Sequence, residues 1–307
     1  MPALSVSKFF DPRLFARMAN LEFIARSVVE GMITGRHQSP FHGFSVEFSE
    51  YRKYTPGDDP KHIDWKVMAK SDRVYVKQFE AETNLRAYIL LDVSGSMGYG
   101  RGAAGRGDAK PLTKLQYCSY ATAAMAYLLI RQMDAVGLVT FDREIRSFLA
   151  PKSGPQQLRA ILTTLDHQEA REETNISSSF HRLAERLQRR GLILVFSDFL
   201  DDPEQVIRGL SHFRHKKHEV ILFHVMDADE TDFPFLDFME FEDMETLERL
   251  PVHARLVGPR YREAFRRFTQ DLQRRCAEHG IEYVPLRTDT PVEVALLRYL
   301  GKRARLG

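Results

Sequence analysis

An apolar run that ends abruptly in an acid and two hydroxyls constrains this chain most. Residues 86–96 read Arg-Ala-Tyr-Ile-Leu-Leu-Asp-Val-Ser-Gly-Ser, which is typical of a buried strand followed by a polar loop. Because alternate residues of an extended segment point the same way, Asp92, Ser94 and Ser96 can converge on one point beyond the strand. Oxygen ligands of this kind suit Mg²⁺, Mn²⁺ or Ca²⁺ rather than zinc. Taken alone, the pattern fits a turn capped by an Asp and serines equally well.

Two further positions offer an oxygen to the same cation. Residues 192–198, Leu-Ile-Leu-Val-Phe-Ser-Asp, repeat the pattern of an apolar run followed by an acid, here Asp198. Thr174 stands at the head of a helix-like segment, directly after a charged loop. We therefore predict a metal site with the ligands Asp92, Ser94, Ser96, Thr174 and Asp198.

Length and composition exclude several classes of protein. The 307 residues fit one large α/β domain plus an elaboration, and a formal net charge of +2 indicates no strong overall field for nucleic acid. The two cysteines form no Cys-x-x-Cys pair, which argues against a disulfide scaffold or a zinc site and favours the reducing cytoplasm. No apolar run approaches the roughly 20 residues that span a bilayer, so we expect no membrane segment.

Short apolar runs alternate with amphipathic segments from Arg86 onward. This alternation predicts an α/β fold with a doubly wound, mostly parallel sheet that is covered by helices on both faces. The predicted strands are 86–92, 135–141, 192–197, 219–225 and 281–286, with an edge strand at 145–149. The predicted helices are 113–132, 155–165, 175–190, 203–213, 259–279 and 291–300.

The segment before this sheet has a different pattern. Leu14, Met18, Leu21, Ile24, Val28 and Met32 recur at helical spacing. Residues 44–48 and 74–79 resemble two strands. We therefore predict an N-terminal helix with a small β-rich elaboration at 1–83, and a main domain at 84–307 that carries an insertion at 227–257. The alternation Phe238-Met239-Glu240-Phe241 in the insertion predicts a hairpin, whose aromatics either cover the core or contribute to a partner surface.

Strand order brings the candidate ligands together. In an open doubly wound sheet, ligands bind beyond the carboxyl ends of the strands, where the strand order reverses. For the order 3-2-1-4-5-6 this point lies between the first and fourth strands. Asp92 closes the first of the predicted strands and Asp198 follows the fourth. The two acids are thus predicted to flank one crevice.

Two resemblances follow from these residues. Asp92-x-Ser94-x-Ser96, Thr174 and Asp198 resemble the metal-ion-dependent adhesion site of von Willebrand factor A domains. That resemblance implies hydroxyl contacts from Ser94, Ser96 and Thr174, direct or water-mediated contacts from the two acids, and completion of the coordination by an acidic side chain of a partner.

The second resemblance covers nearly the whole chain. Its motifs are Glu47-Phe48-x-x-Tyr51-Arg52-x-Tyr54-x-Pro56-Gly57-Asp58-Asp59, Ile63-Asp64-Trp65 and Val76-Lys77-x-Phe79-x-x-Glu82. They resemble the prokaryotic family called domain of unknown function 58, whose members carry a von Willebrand A-like domain. The resemblance implies a cytoplasmic partner of a MoxR-type AAA+ ATPase.

The function expected from the sequence is a divalent-metal-dependent protein-interaction module, an adaptor or cochaperone rather than an enzyme. One alternative is a metal-dependent hydrolase of phosphoesters that uses Asp58, Asp59 or Asp64 as its base. These acids are equally able to form ion pairs and turn caps with neighbouring Lys and Arg. Another alternative is a purely structural domain without a metal.

Overall fold

The fold is built on a six-stranded sheet. The computed structural model describes residues 47–53, 75–80, 85–100, 112–170, 176–187 and 189–303, together with residues 21, 22, 25, 26 and 29 of an N-terminal helical segment. The strands are β1 (Glu47–Lys53), β2 (Tyr75–Glu80), β3 (Arg86–Asp92), β4 (Ala135–Phe141), β5 (Ile145–Lys152), β6 (Leu192–Ser197), β7 (Glu219–Met226), β8 (Phe238–Glu242), β9 (Arg249–His253) and β10 (Glu282–Arg287). The helices are α1 (Lys114–Arg131), α2 (Pro155–Asp166), α3 (Ile176–Arg186), α4 (Pro203–His215), α5 (Ala228–Asp232), α6 (Ala254–Glu278) and α7 (Val292–Arg303).

The order of the main sheet is β10-β7-β6-β3-β4-β5. Neighbouring strands are parallel except β4 and β5, which are antiparallel. When the six strands are counted along the chain, this is the order 3-2-1-4-5-6 that the sequence predicted. The doubly wound, mostly parallel α/β prediction is confirmed. The strand order reverses between β3 and β6.

Alternate residues of β3 belong to two separate hydrophobic cores, one on each face of the sheet. Ala87, Ile89 and Leu91 belong to the core under α1, α2 and α7. Tyr88 and Leu90 belong to the core under α3, α4 and α6. Every residue of β3 after Arg86 is buried, as expected for a central strand covered on both sides.

The helices begin and end close to the predicted positions, with two exceptions. Helix α3, which was predicted to run to residue 190, ends at Arg186. Helix α6 begins at Ala254, five residues before the proline at which it was expected to start. Pro259 is the sixth residue of the helix, past its first turn, so its missing N–H removes the hydrogen bond that this position would otherwise make to the Arg255 carbonyl. The helix therefore takes over the last residues of the predicted 227–257 insertion. Its end is as expected, because Gly280 adopts a left-handed φ of 65°.

The N-terminal region contributes to the same core. Leu21, Ala25 and Val29 are buried in the cluster that covers one face of the sheet. Leu21 was expected on the buried face, whereas Ala25 and Val29 were not; the other predicted apolar positions lie outside the described residues. Strands β1 and β2 pair antiparallel, with β1 beginning three residues later than expected. Among the described residues, no helix is both long and apolar enough to cross a bilayer.

Candidate metal and docking site

Asp92 lies at the carboxyl end of β3, in the interior of the protein. The residue is fully buried, and its two carboxylate oxygens have different partners. Oδ1 accepts a hydrogen bond from the Ser94 backbone N–H at 2.9 Å, and Oδ2 accepts one from the Ser197 hydroxyl at 2.6 Å. Burial, reinforced by the nearby Asp198 carboxylate, raises the pKa of Asp92 to about 7. A cation beside this carboxylate would offset both effects.

The two serines of the Asp-x-Ser-x-Ser segment lie side by side beyond the strand. Ser94 is buried, and its Oγ is 3.2 Å from that of Ser96. A short 3-10 helix, Gly95–Gly98, turns the chain at this point, which brings the second hydroxyl back toward the first. The convergence expected from the sequence is therefore present for Asp92, Ser94 and Ser96.

Asp198 reaches the same place from the neighbouring strand. Leu91 of β3 pairs with Phe196 of β6, so Asp198 follows β6 at the edge where β3 ends. Phe199 then takes up a left-handed φ of 50°, and its N–H donates to the Ser197 hydroxyl at 2.9 Å. A buried non-glycine residue in this conformation carries a conformational cost that the surrounding contacts must offset, and such strain clusters at functional sites.

A buried lysine that the sequence analysis did not predict pairs with Asp198. Lys114, the first residue of α1, is fully buried, and its Nζ lies 2.7 Å from Asp198 Oδ2 and 2.5 Å from Glu230 Oε1. Although burial acts to lower it, the two carboxylates raise the pKa of Lys114. Burial likewise acts to raise the pKa of Asp198, but the ammonium holds it below its usual value.

Glu230 comes from α5, in the insertion after β7. Its other oxygen, Oε2, accepts the Asp227 backbone N–H at 2.7 Å in a capping box, which fixes the side chain between the helix start and Lys114. The Tyr99 hydroxyl donates to Asp229 Oδ2 at 3.1 Å, so α5 is also held to the segment that follows the two serines. The sequence signal for this contact was the Asp-x-x-Glu capping box at 227–230.

These side chains suit a hard divalent cation. Asp92, Asp198 and Glu230 place three carboxyl groups beside the single ammonium of Lys114, so the cluster has a negative charge that attracts a dication, and the cation would favour the ionised form of Asp92. The donors beside Asp92 are hydroxyl oxygens, the ligand type that Mg²⁺, Mn²⁺ and Ca²⁺ accept. Within the described residues, however, no three His, Cys, Asp or Glu side chains come together so that they could hold a metal ion. Thr174, Asp58, Asp59 and Asp64 lie outside the described residues. The five-residue ligand set therefore stays a prediction.

Comparison with known proteins identifies the family. Residues 50–275, more than half of the chain, match the family described as protein of unknown function DUF58. The chain belongs to the DUF58 family. Uncharacterized proteins of Mycobacterium bovis and Mycobacterium tuberculosis are 24% identical to it over 311 residues, covering 99% of this chain and 94% of theirs.

Two solved structures align with most of the chain, at low sequence identity. The conserved hypothetical protein BatB from Bacteroides thetaiotaomicron is 13% identical, with a TM-score of 0.46, over 72% of this chain and 99% of that one. The VWA domain of SpRpn10 is 12% identical, with a TM-score of 0.39, over 70% of this chain and 94% of that one.

Proposed function

We propose that this DUF58 protein is a divalent-metal-dependent protein-interaction module that serves a MoxR-type AAA+ ATPase as an adaptor or cochaperone. The observation that carries the proposal is the environment of Asp92. A fully buried carboxylate ends the central strand, with the hydroxyls of Ser94 and Ser96 beside it and Asp198 across the switch point. In the proposal, Thr174 completes the ligand set around Mg²⁺, Mn²⁺ or Ca²⁺.

The donor set favours binding over hydrolysis. Hydroxyl ligands bring no charge, and Lys114 already offsets part of the charge of Asp198. Of the five proposed ligands only Asp92 and Asp198 are acids, so a dication held by them, with Lys114 against Asp198, would keep positive charge toward an anion from outside. The anion that a protein partner offers is an Asp or Glu side chain. The von Willebrand factor A-like architecture supports this use of the site.

The ATPase partner and the cytoplasmic location belong to the proposal as well. Both rest on the resemblance of the chain to a family associated with MoxR-type ATPases. Cys118 and Cys276 are both free and buried, which suits a reducing compartment. We do not propose the phosphoester hydrolase, because no contact among the described residues favours it.

Calorimetric titration of Mg²⁺ tests the metal. We expect the wild type to bind Mg²⁺ and Asp92→Asn to lose most of that binding, since the amide keeps the shape of the side chain and removes its charge. Asp142→Asn is the matched control. Asp142 is a buried acid directly after the neighbouring strand β4, but it pairs with Arg146 at 2.5 Å.

The same proteins are then titrated with a MoxR-type ATPase in the presence of Mg²⁺ and after its removal with a chelator. Binding that needs both the metal and Asp92 supports the proposal. Binding of Mg²⁺ without any effect on the ATPase would reject the partner. A wild type that binds no divalent cation would reject the metal-dependent function altogether.

A further inference from the structure

The hairpin formed by β8 and β9 has a well-defined tip. At this tip, Asp243 Oδ1 accepts hydrogen bonds from the backbone N–H groups of Glu245 and Thr246, both at 2.8 Å. Leu247 follows in the left-handed region, with a φ of 60°. The two hydrogen bonds and the left-handed residue, all within positions 243–247, make this an ordered turn. The tip thus presents its side chains in a fixed arrangement.

The tip packs directly on the loop of the proposed metal site. A Cβ atom added to Gly95 would lie 2.6 Å from the Met244 carbonyl oxygen, and one added to Gly98 would lie 3.3 Å from the Met244 methyl carbon. Only glycine at position 95 permits this approach. Since Gly95 stands between Ser94 and Ser96, the hairpin tip lies directly against the loop that carries the two proposed serine ligands.

The segment that carries the hairpin exposes many apolar side chains. Nine large apolar side chains are exposed among the described residues, and seven of them lie between positions 236 and 257: Leu236, Phe238, Met244, Leu247, Leu250, Leu256 and Val257. Leu200, an eighth, follows two residues after Asp198. Single exposed apolar residues need no explanation, but such a concentration beside a binding site is typical of an interaction surface.

The exposed side chains are not needed to hold the hairpin in place. The inner face of the hairpin has its own aromatic contacts, in which Phe241 lies 5.7 Å from Phe233 and 5.3 Å from Phe235, measured between ring centroids. Phe233 in turn lies 4.6 Å from Tyr261 of α6. These rings anchor the hairpin. Leu250 pairs with Phe241 across the hairpin and so lies on the same face, yet 63% of it is exposed, and Leu247 at the tip is 67% exposed, so both are available to another molecule.

The charge of the segment indicates the kind of molecule. Residues 227–257 contain ten acidic side chains and two arginines, although the whole chain has a net charge of +2. Glu240 lies on the outer, exposed face of the hairpin. An acidic surface repels an acidic partner, so a partner that supplies a carboxylate to the metal must also bring basic side chains.

We propose that the hairpin, through Met244 and Leu247 at its tip and Leu250 of β9, forms with Leu200, which follows Asp198, the apolar half of the docking surface whose polar half is the metal site. Its occupant is a protein surface on which one carboxylate is surrounded by apolar side chains and by Lys or Arg. This inference rests on the proposed function and specifies the chemistry of its partner.

The test measures the affinity for a MoxR-type ATPase in the presence of Mg²⁺. Leu247→Ser and Leu250→Ser should each weaken binding about tenfold, the effect of losing one well-buried apolar contact. Neither variant should alter the binding of Mg²⁺ alone. Glu248→Lys, at an exposed acid next to Leu247, should also weaken binding, and added salt should reduce the difference from wild type.

Met133→Ser is the matched control. Met133 is 63% exposed and has a φ of 64°, and Leu247 is 67% exposed and has a φ of 60°. Met133 lies in the turn before β4, at the amino-terminal ends of the strands, whereas the metal site lies at their carboxyl ends. Its substitution should leave the affinity unchanged.

Three other outcomes have distinct meanings. Metal-dependent binding that Leu247→Ser and Met133→Ser leave equally intact would overturn the hairpin inference while the proposed function stands. Metal-independent binding that Leu247→Ser still weakens would support the hairpin and reject the metal-dependent function. An ATPase that does not bind the wild type would overturn both.

Discussion

Nζ of Lys114 lies 2.7 Å from Oδ2 of Asp198, so a buried ammonium contacts a residue that is also a proposed metal ligand. Lysine is almost never fully buried unless it is paired, and here it is paired twice, because Glu230 lies on its other side. The site therefore carries one permanent positive charge of its own. Replacing Lys114 therefore tests whether its charge affects the binding of a metal ion.

Lys114→Met should destabilise the protein by about 3–5 kcal/mol in metal-free buffer, because it leaves Asp198 and Glu230 buried without their partner. Excess Mg²⁺ should stabilise this variant more than it stabilises the wild type, because the uncompensated carboxylate attracts the cation more strongly. Thermal unfolding with and without Mg²⁺ measures both effects. Arg208→Ala, which removes an exposed ion pair with Glu204, should cost less than about 1 kcal/mol. Equal stabilisation of Lys114→Met and wild type by Mg²⁺ would contradict the expectation.

Ser197→Ala should lower the free energy of unfolding by about 1–3 kcal/mol. The Ser197 hydroxyl donates to Asp92 at 2.6 Å and accepts from the Phe199 N–H at 2.9 Å, so its loss leaves two buried polar groups with one partner fewer. Urea denaturation of wild type and variant gives the difference. Ser211→Ala serves as control, since that hydroxyl only donates back to the Ile207 carbonyl within α4. A Ser197→Ala protein as stable as the control would show that the Asp92 hydrogen bond contributes nothing.

His224 should make the protein less stable in mild acid. Burial lowers the pKa of His224 from 6.5 to about 4, and its Nδ1 lies 2.7 Å from the Tyr283 hydroxyl. Because the folded pKa is below the unfolded one, the unfolded chain takes up the proton first. The contribution is complete above pH 6.5 and is lost as the pH falls toward 4, to a total of about 3 kcal/mol.

His224→Gln isolates this effect, because glutamine is able to keep a hydrogen bond to Tyr283 but does not titrate. The raised pKa of Asp92 acts in the opposite direction, since protonation of Asp92 below pH 7 favours the folded state, but it is common to both proteins. Denaturation at a series of pH values should show the wild type losing stability relative to the variant between pH 6.5 and 4. Parallel pH profiles would rule out the role given to His224.

Gly95→Ala should displace the hairpin tip from the metal loop. Its Cβ would meet the Met244 carbonyl oxygen at 2.6 Å, and backbone on both sides leaves little room to adjust. Limited trypsin digestion should then cleave faster at Arg249, the first residue of β9, and at Arg255, the second residue of α6. Gly98→Ala is a milder control, because its Cβ would meet only side-chain atoms, the Ala170 Cβ at 3.1 Å and the end of the flexible Met244 side chain at 3.3 Å. Identical digestion of the two variants would argue against close packing of the tip.

The sequence predicted the sheet well because its strands are long, apolar and bounded by clear turns. Strands β3, β4 and β6 begin and end at the predicted residues, and their order follows from chain connectivity and handedness. The same order placed Asp92 beside Asp198. Contacts between residues at the ends of neighbouring parallel strands are thus predictable, because the pattern of strands determines which ends lie side by side.

Ser197, Lys114 and Glu230 were missed because their contacts span long sequence separations and depend on side-chain direction. One signal for Lys114 was available. The residue opens an otherwise apolar helix, and a cation in the first turn is unfavourable beside the positive end of the helix dipole unless acids lie nearby. For Ser197, apolar periodicity marked the strand but said nothing about the hydroxyl at its end.

The hairpin is connected to the rest of the domain without slack. Strand β9 ends at His253 and the 25-residue helix α6 begins at the next residue, while the Ala254 N–H donates to the Asp237 carbonyl at 3.0 Å and closes the base. With the base closed, the inner rings stacked and the tip resting on Gly95, the chain there has little conformational freedom left to lose. The hairpin is therefore already ordered before a partner docks. Its conformational entropy is lost during folding, so this loss does not weaken the complex.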